Sequence, residues 1–155
     1  MQGPLHAPCA QITIRAETRA TRHASAWLES AGLGEGIPFE QLSRLDHCLD
    51  EALANVINHG LRGIEDASIL LQLAVQRGAE RCCAELVIVD EGVAFDSAAP
   101  SDRQAARPAT LAEANVGGLG LAMMKSFSDE LKYHRADGRN HLTIRITWTE
   151  TTGCP

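Results

Sequence analysis

Residues 50–60 decide how this chain folds, and they read Asp-Glu-Ala-Leu-Ala-Asn-Val-Ile-Asn-His-Gly. Around them, apolar residues recur every three or four positions, which is the pattern of a helix that packs one face on a core. The members of this stripe are Leu42, Leu45, Leu49, Leu53 and Val56. Glu51 and Asn55 lie four residues apart, so both side chains share one helix face and can act on one ligand. By itself, such a pair is more often a solvated acid and a bridging amide.

The composition is that of a single globular domain. The 155 residues are 45% hydrophobic and 22% charged, which is enough chain for one well-formed core. The net charge of −6 argues against a general surface for nucleic acid or anionic membrane, although backbone amides can still bind a phosphate compound. We see no signal peptide and no apolar run long enough to cross a bilayer. We therefore expect a cytoplasmic protein that binds neither nucleic acid nor membrane.

The cysteines fit a reducing compartment. There are five of them, two are adjacent, and their spacings match no zinc pattern, so a disulfide framework is not expected. Most of them are expected to be small buried hydrophobic residues.

Hydrophobic patterning predicts an α+β two-layer sandwich with a mostly antiparallel sheet covered on one face by helices. The predicted strands are 11–15, 68–75, 82–89, 131–135 and 141–149, and the predicted helices are 18–31, 38–58 and 120–130. Residues 136–140 are assigned to the last hairpin turn. Helices that are separated from strand pairs favour this fold over a doubly wound one. We expect a flexible tail at 1–10, one domain at 11–149 and a second tail at 150–155.

A second motif follows the apolar strand that ends at Val89. There, Asp90-Glu91-Gly92 places a carboxylate at the end of a strand, where it can accept a hydrogen bond from an exocyclic amine. The glycine beside it lets a flat ring approach the backbone. Alone, such a motif is more often only a turn.

A third motif lies at the head of the last predicted helix. Residues 117–121 read Gly-Gly-Leu-Gly-Leu and follow a segment, 97–115, that is rich in Ala, Ser and Pro. A segment of that length without apolar periodicity is usually a lid or disordered. Glycines at a helix N-terminus expose N–H groups that favour anions.

In this order, the three motifs resemble the N, G1 and G2 boxes of the GHKL ATPase superfamily, whose ATP-binding fold is of the Bergerat type. Within that superfamily, the chain resembles the RsbW-type anti-sigma-factor serine/threonine-protein kinases. The resemblance rests on Glu51, on Asn55 followed by His59-Gly60, and on Asp129-Glu130 after the glycines. It covers about 11–148.

The resemblance implies an ATP-dependent serine kinase that acts as an anti-sigma factor in a partner-switching system. Its substrate would be a serine of a STAS-domain anti-anti-sigma antagonist, its second partner a sigma factor or equivalent target, and its assembly a homodimer. Glu51 would be the catalytic general base. Asn55 would hold Mg²⁺ through its amide oxygen. Asp90 would accept a hydrogen bond from the adenine amine, with Gly92 giving the ring room. The phosphates of ATP would be bound by the third motif, which comprises Gly117, Gly118, Leu119, Gly120 and Leu121.

Two departures from the family pattern carry expectations of their own. The final strand of relatives commonly opens with Gly-Thr, where this chain has His141-Leu142, and Thr143 belongs to the opposite strand face. We therefore expect that a water or another hydroxyl supports Asp90, or that nucleotide binding is weak. Relatives also carry a basic residue before the glycines, which this chain lacks, so we expect phosphate contacts from Lys125, Arg103 or Arg107, or weaker ones.

Two other readings remain open at this point. One is a non-catalytic GHKL module, with or without nucleotide, that regulates a partner only by binding. The other is a detached histidine-kinase catalytic domain, against which we count the lack of a preceding dimerisation helix with a phosphoacceptor histidine.

Overall fold

The computed structural model describes residues 7–94 and 120–150. In chain order, the elements are β1 (Ala10–Arg15), α1 (Ala20–Gly34), α2 (Phe39–Asn55) with a π-helical turn (Val56–Gly60), β2 (Ser68–Arg77), β3 (Cys82–Asp90), α3 (120–127), β4 (Glu130–Ala136) and β5 (Arg139–Trp148). The five strands form one sheet in the order β1-β2-β3-β5-β4, and every pairing is antiparallel. The predicted α+β class is confirmed.

The core lies between α2 and one face of the sheet. Leu45, Leu49 and Leu53 are fully buried on the helix side. On β5, alternate residues from Leu142 to Trp148 are buried, as the two-residue period of a strand requires. The predicted stripe of α2 is confirmed.

The last hairpin differs from the sequence prediction. Its turn is the dipeptide Asp137-Gly138, with φ angles of 54° and 74°. Positive φ at both central residues is the type I′ geometry that Asp-Gly favours in two-residue hairpins. The assignment of 136–140 to the turn was therefore wrong, because β5 begins at Arg139 and Asn140 is a strand residue paired with Asp90.

Smaller differences concern element ends. Regular α-helix stops at Asn55, and residues 56–60 continue as a π-helical turn, a form that is frequent at functional sites. The third helix ends at 127 because β4 begins at Glu130.

Several predicted features lie outside the described residues. They are the lid at 97–115, the residues Gly117, Gly118 and Leu119, and most of both tails. Between residues 7 and 94 and between 120 and 150, no helix is long and apolar enough to span a membrane.

The packing of α2 predicts a large stability difference between two leucine truncations. Leu45→Ala removes a fully buried side chain and should lower the free energy of unfolding by about 2–5 kcal/mol. Leu33→Ala removes a side chain that is 54% exposed, and it should change the free energy by no more than about 0.5 kcal/mol. Urea unfolding of both variants measures the difference, and equal losses would contradict the packing.

Candidate functional site

A small cleft opens where the C-terminal end of α2 faces the ends of β3 and β5. Its lining residues come from α2, the π-helical turn and the sheet: Ala52, Asn55, Val56, Gly60, Asp90, Tyr133, Asn140 and Leu142. Asn55 and Asp90 are 8% and 4% exposed. The structure thus brings together the amide of the first motif and the carboxylate of the second.

The carboxylate of Asp90 is held on one side by the protein. Its Oδ1 accepts a hydrogen bond from the Gly92 N–H at 2.8 Å and another from Asn140 Nδ2 at 3.0 Å. Two donors use the two lone-pair directions of that oxygen. Among the described residues, no donor contacts the second oxygen, Oδ2, so this oxygen can accept a hydrogen bond from a ligand amine.

Gly92 is required by a close approach of the backbone. A Cβ atom at this position would lie 2.4 Å from the carbonyl oxygen of Gly60 and 2.8 Å from Asp90 Oδ1. The same carbonyl accepts a hydrogen bond from the Val93 N–H at 3.0 Å. The sequence predicted that this glycine gives a ligand ring room, and the fold adds a second reason, because the π-helical turn occupies that space.

Asn140 is the site residue that the sequence analysis missed. It is 5% exposed and donates through Nδ2 to Asp90 and to the Val93 carbonyl oxygen at 2.9 Å. The expectation that a water or a hydroxyl supports Asp90 is wrong, because this carboxamide does so. A signal was present: Asn140 lies two residues before Leu142, on the same strand face, while Thr143 lies on the other.

The third motif reaches the first through Gly120. A Cβ atom at Gly120 would lie 2.7 Å from Glu51 Oε2 and 3.9 Å from Asn55 Nδ2. The start of α3 therefore lies against the acid and amide pair of α2. Leu121 follows it, half-buried against the core.

The other end of α3 is fixed to α2 by polar and aromatic contacts. Arg44 Nε donates to the Phe127 carbonyl oxygen at 2.9 Å, and the rings of His47 and Phe127 stack at 5.2 Å. Cys48 Sγ lies 3.7 Å from the Met124 carbonyl oxygen. Burial raises the pKa of the Cys48 thiol to about 11, so it stays protonated at neutral pH. These contacts hold Gly120 beside Glu51.

Two further titratable groups near the cleft point away from it. Burial, and then the charge of Asp46, raise the pKa of Asp50, whose carboxylate accepts a hydrogen bond from Ser25 on α1. Burial, and then neighbouring His134, lower the pKa of His141, and the two imidazole rings stack at 4.5 Å on the outer sheet face. Of the two adjacent acids on α2, Asp50 and Glu51, Glu51 is the one that lies against Gly120 of the glycine motif.

The geometry of the cleft agrees with the family and the relatives that this chain resembles. A family model described as the histidine kinase-like ATPase domain matches residues 14–146. The chain is 34% identical over 134 residues to the serine/threonine-protein kinase BtrW of Bordetella bronchiseptica, a match that covers 85% of this chain and 90% of that one. It is 25% identical to the serine-protein kinase RsbW of Listeria monocytogenes, over 83% of this chain and 82% of the relative.

Two further similarities are a match over a shorter part of the chain and a solved structure. The chain is 29% identical to an anti-sigma F factor of Halalkalibacterium halodurans, over 60% of each chain. A solved structure of the RsbU and RsbW domains of a Mycobacterium tuberculosis protein superposes with a TM-score of 0.62 at 17% identity. That match covers 94% of this chain and 34% of the other, and at this identity it supports the fold alone.

The close approach at Gly92 predicts a stability cost for a single methyl group. Gly92→Ala forces apart the backbone of the π-helical turn and the loop after β3, and we expect a loss of about 1–3 kcal/mol in the free energy of unfolding. Gly34→Ala is the control, since a Cβ there meets nothing within 4 Å and alanine favours a helix. Chemical denaturation compares the two variants. An unchanged free energy of unfolding for Gly92→Ala would show that the backbone approach at Gly92 is looser than described.

Proposed function

The chain belongs to the histidine kinase-like ATPase domain family and to its RsbW-type serine kinases, and from this premise we propose that it phosphorylates a serine of a STAS-domain anti-anti-sigma protein with ATP. The family resemblance and the kinase class predicted from the sequence are confirmed. One observation supports the proposal: Asn55 and Asp90 line one cleft, and Gly120 lies against Glu51 and Asn55.

The adenine end of the proposed ATP site is the buried end of the cleft. Val56 and Leu142 supply apolar walls there, and Asp90 supplies one acceptor oxygen. A ring with an exocyclic amine satisfies Asp90 Oδ2, whereas a ring with a carbonyl at that position places oxygen against oxygen. The site therefore favours adenine over guanine.

The phosphate end lies toward Gly120, at the N-terminus of α3. N–H groups at a helix N-terminus bind phosphate oxygens, so Gly120 and Leu121 contribute backbone amides. The residues there also fit Mg²⁺, because the carboxamide oxygen of Asn55 is a ligand type that magnesium takes, and Asn55 lines the cleft. Asn55 would be the one protein ligand, in keeping with the few oxygens that magnesium takes from a protein. The ion would neutralise phosphate charge during transfer.

Glu51 is the proposed general base. It lies one helical turn before Asn55, half-buried and against Gly120. Its carboxylate accepts the proton of the substrate serine hydroxyl as the serine oxygen bonds to the γ-phosphorus and the bond to the leaving ADP oxygen breaks. Phosphoryl transfer needs positioning and charge neutralisation more than covalent help, so this short set of residues is adequate.

The second proposed partner is a sigma factor that the kinase sequesters. Similarity to a protein named as an anti-sigma F factor supports this part of the proposal. Phosphorylation of the antagonist would free the kinase to hold the sigma factor, which links the chemistry of the cleft to transcription.

Removal of the proposed general base should lower the rate of phosphorylation without lowering the affinity for ATP. Glu51→Gln should slow phosphorylation of the STAS protein encoded nearest this gene by ~10²–10⁴-fold, while ATP affinity stays close to the parent value. Glu29→Gln, a change at an exposed acid on α1, is the control and should keep the parent rate. Transfer of ³²P from ATP measures the rate, and calorimetry measures the affinity. An unchanged rate for Glu51→Gln would place the base elsewhere.

We also propose a homodimer that pairs two copies of β1. This strand lies at a sheet edge, and Gln11, Thr13 and Arg15 are exposed along it. The Ala16 N–H donates to the Ala67 carbonyl oxygen, and hydrogen-bonded pairs alternate along an antiparallel ladder. Thr13 therefore directs its N–H away from β2, toward a second copy. An edge with one charge and no proline is poorly protected against pairing.

Thr13→Pro should convert the dimer to a monomer, because it removes an outward N–H and leaves the β1–β2 ladder intact. Thr13→Val keeps the N–H and should stay dimeric. Analytical ultracentrifugation at tens of micromolar separates the two states. A monomeric parent protein, or a dimer unaffected by proline, would overturn this edge as the interface.

A further inference from the structure

We propose that Asn140 is the positioning residue that orients Asp90 toward the adenine amine and so sets nucleobase selectivity. This inference rests on the proposed ATP site. In the family pattern a threonine two positions later backs this carboxylate, and here that position is Leu142, which has no polar atom to offer. Asn140 reaches Asp90 from the neighbouring strand, because the two residues are direct partners across β3 and β5.

The orientation of the Asn140 amide is fixed by its neighbours. Its Oδ1 accepts hydrogen bonds from Tyr133 Oη at 2.6 Å and from Arg135 Nη1 at 2.8 Å. A guanidinium can only donate, so the atom facing Arg135 must be the oxygen. The NH₂ group then faces Asp90 Oδ1 and the Val93 carbonyl oxygen, both of which can only accept.

Both N–H groups of the Asn140 side chain donate a hydrogen bond. One holds Asp90 Oδ1, and the other holds the Val93 carbonyl oxygen at 2.9 Å. A threonine hydroxyl has one hydrogen and could not do both. Asn140 therefore fixes the carboxylate and the loop after β3 together, and Arg135 Nη1 adds a hydrogen bond to the Gly92 carbonyl oxygen at 3.0 Å.

Selectivity for the nucleobase follows from which carboxylate oxygen of Asp90 faces the ligand. With the Gly92 N–H and Asn140 Nδ2 both on Oδ1, Asp90 presents Oδ2 in one orientation as an acceptor. Without Asn140 the carboxylate keeps only the hydrogen bond from the Gly92 N–H, so its alignment with a ligand amine is weakened. The apolar walls of the cleft do not depend on Asn140, so contacts with the rest of the nucleotide persist.

The test compares ATP with purine riboside triphosphate, which is the same nucleotide without the exocyclic amine. The parent protein should bind ATP about 10- to 100-fold more tightly, the range for a hydrogen bond to a charged group. Asn140→Leu should remove most of this preference by lowering the affinity for ATP, while the affinity for purine riboside triphosphate changes little. Asn140→Ser, which retains a donor hydroxyl, is the second variant should leucine prevent folding, and it should lose a smaller part of the preference.

Thr143→Leu is the matched control, since it makes a polar-to-apolar change on the same strand but on the outer face. It should leave both affinities unchanged. An Asn140 variant that keeps the preference, or that weakens both nucleotides equally, would overturn the positioning role while ATP binding by the parent protein stands. A parent protein that binds no ATP would overturn the proposed function as well.

Discussion

Burial of the apolar stripe of α2 against the sheet is the constraint on which the site depends. Leu45, Leu49 and Leu53 are each fully buried. Their packing fixes the rotation of α2 about its axis and its distance from the sheet. Fixing that stripe also fixes Glu51 and Asn55, which share another face of the same helix, and Asn55 lines the cleft. The proposed chemistry would thus depend on a helix, which holds side chains more precisely than a loop does.

The sheet imposes a second constraint through one buried carboxylate. Asp90 is 4% exposed, and a buried acid without hydrogen bonds is costly. Its needs are met by Gly92 in its own loop and by Asn140 on the neighbouring strand. The same contacts join β3, β5 and the π-helical turn, because Val93 bonds both to Asn140 and to Gly60. Stability and ligand geometry therefore share one set of hydrogen bonds.

Much of this arrangement was predictable because it is periodic or local. The helical stripe and the strand alternation predicted the fold class, and two residues of the predicted motifs, Asn55 and Asp90, line one cleft. Asn140 was not found because its role depends on the length of a hairpin turn. Assigning 136–140 to the turn removed it from the strand, although Asp137-Gly138 is by itself a complete two-residue turn. The backbone approach at Gly92 depends on a π-helical turn that no simple period signals.

The most direct measurement of the central claim is a crystal structure of the protein with Mg²⁺ and a non-hydrolysable ATP analogue. The account predicts the adenine amine within hydrogen-bonding distance of Asp90 Oδ2, with Asn140 Nδ2 still on Oδ1. It also predicts the metal on the amide oxygen of Asn55, and the γ-phosphate on the side of the cleft that Glu51 faces. An adenine bound away from Asp90, or a metal that Asn55 does not touch, would contradict it.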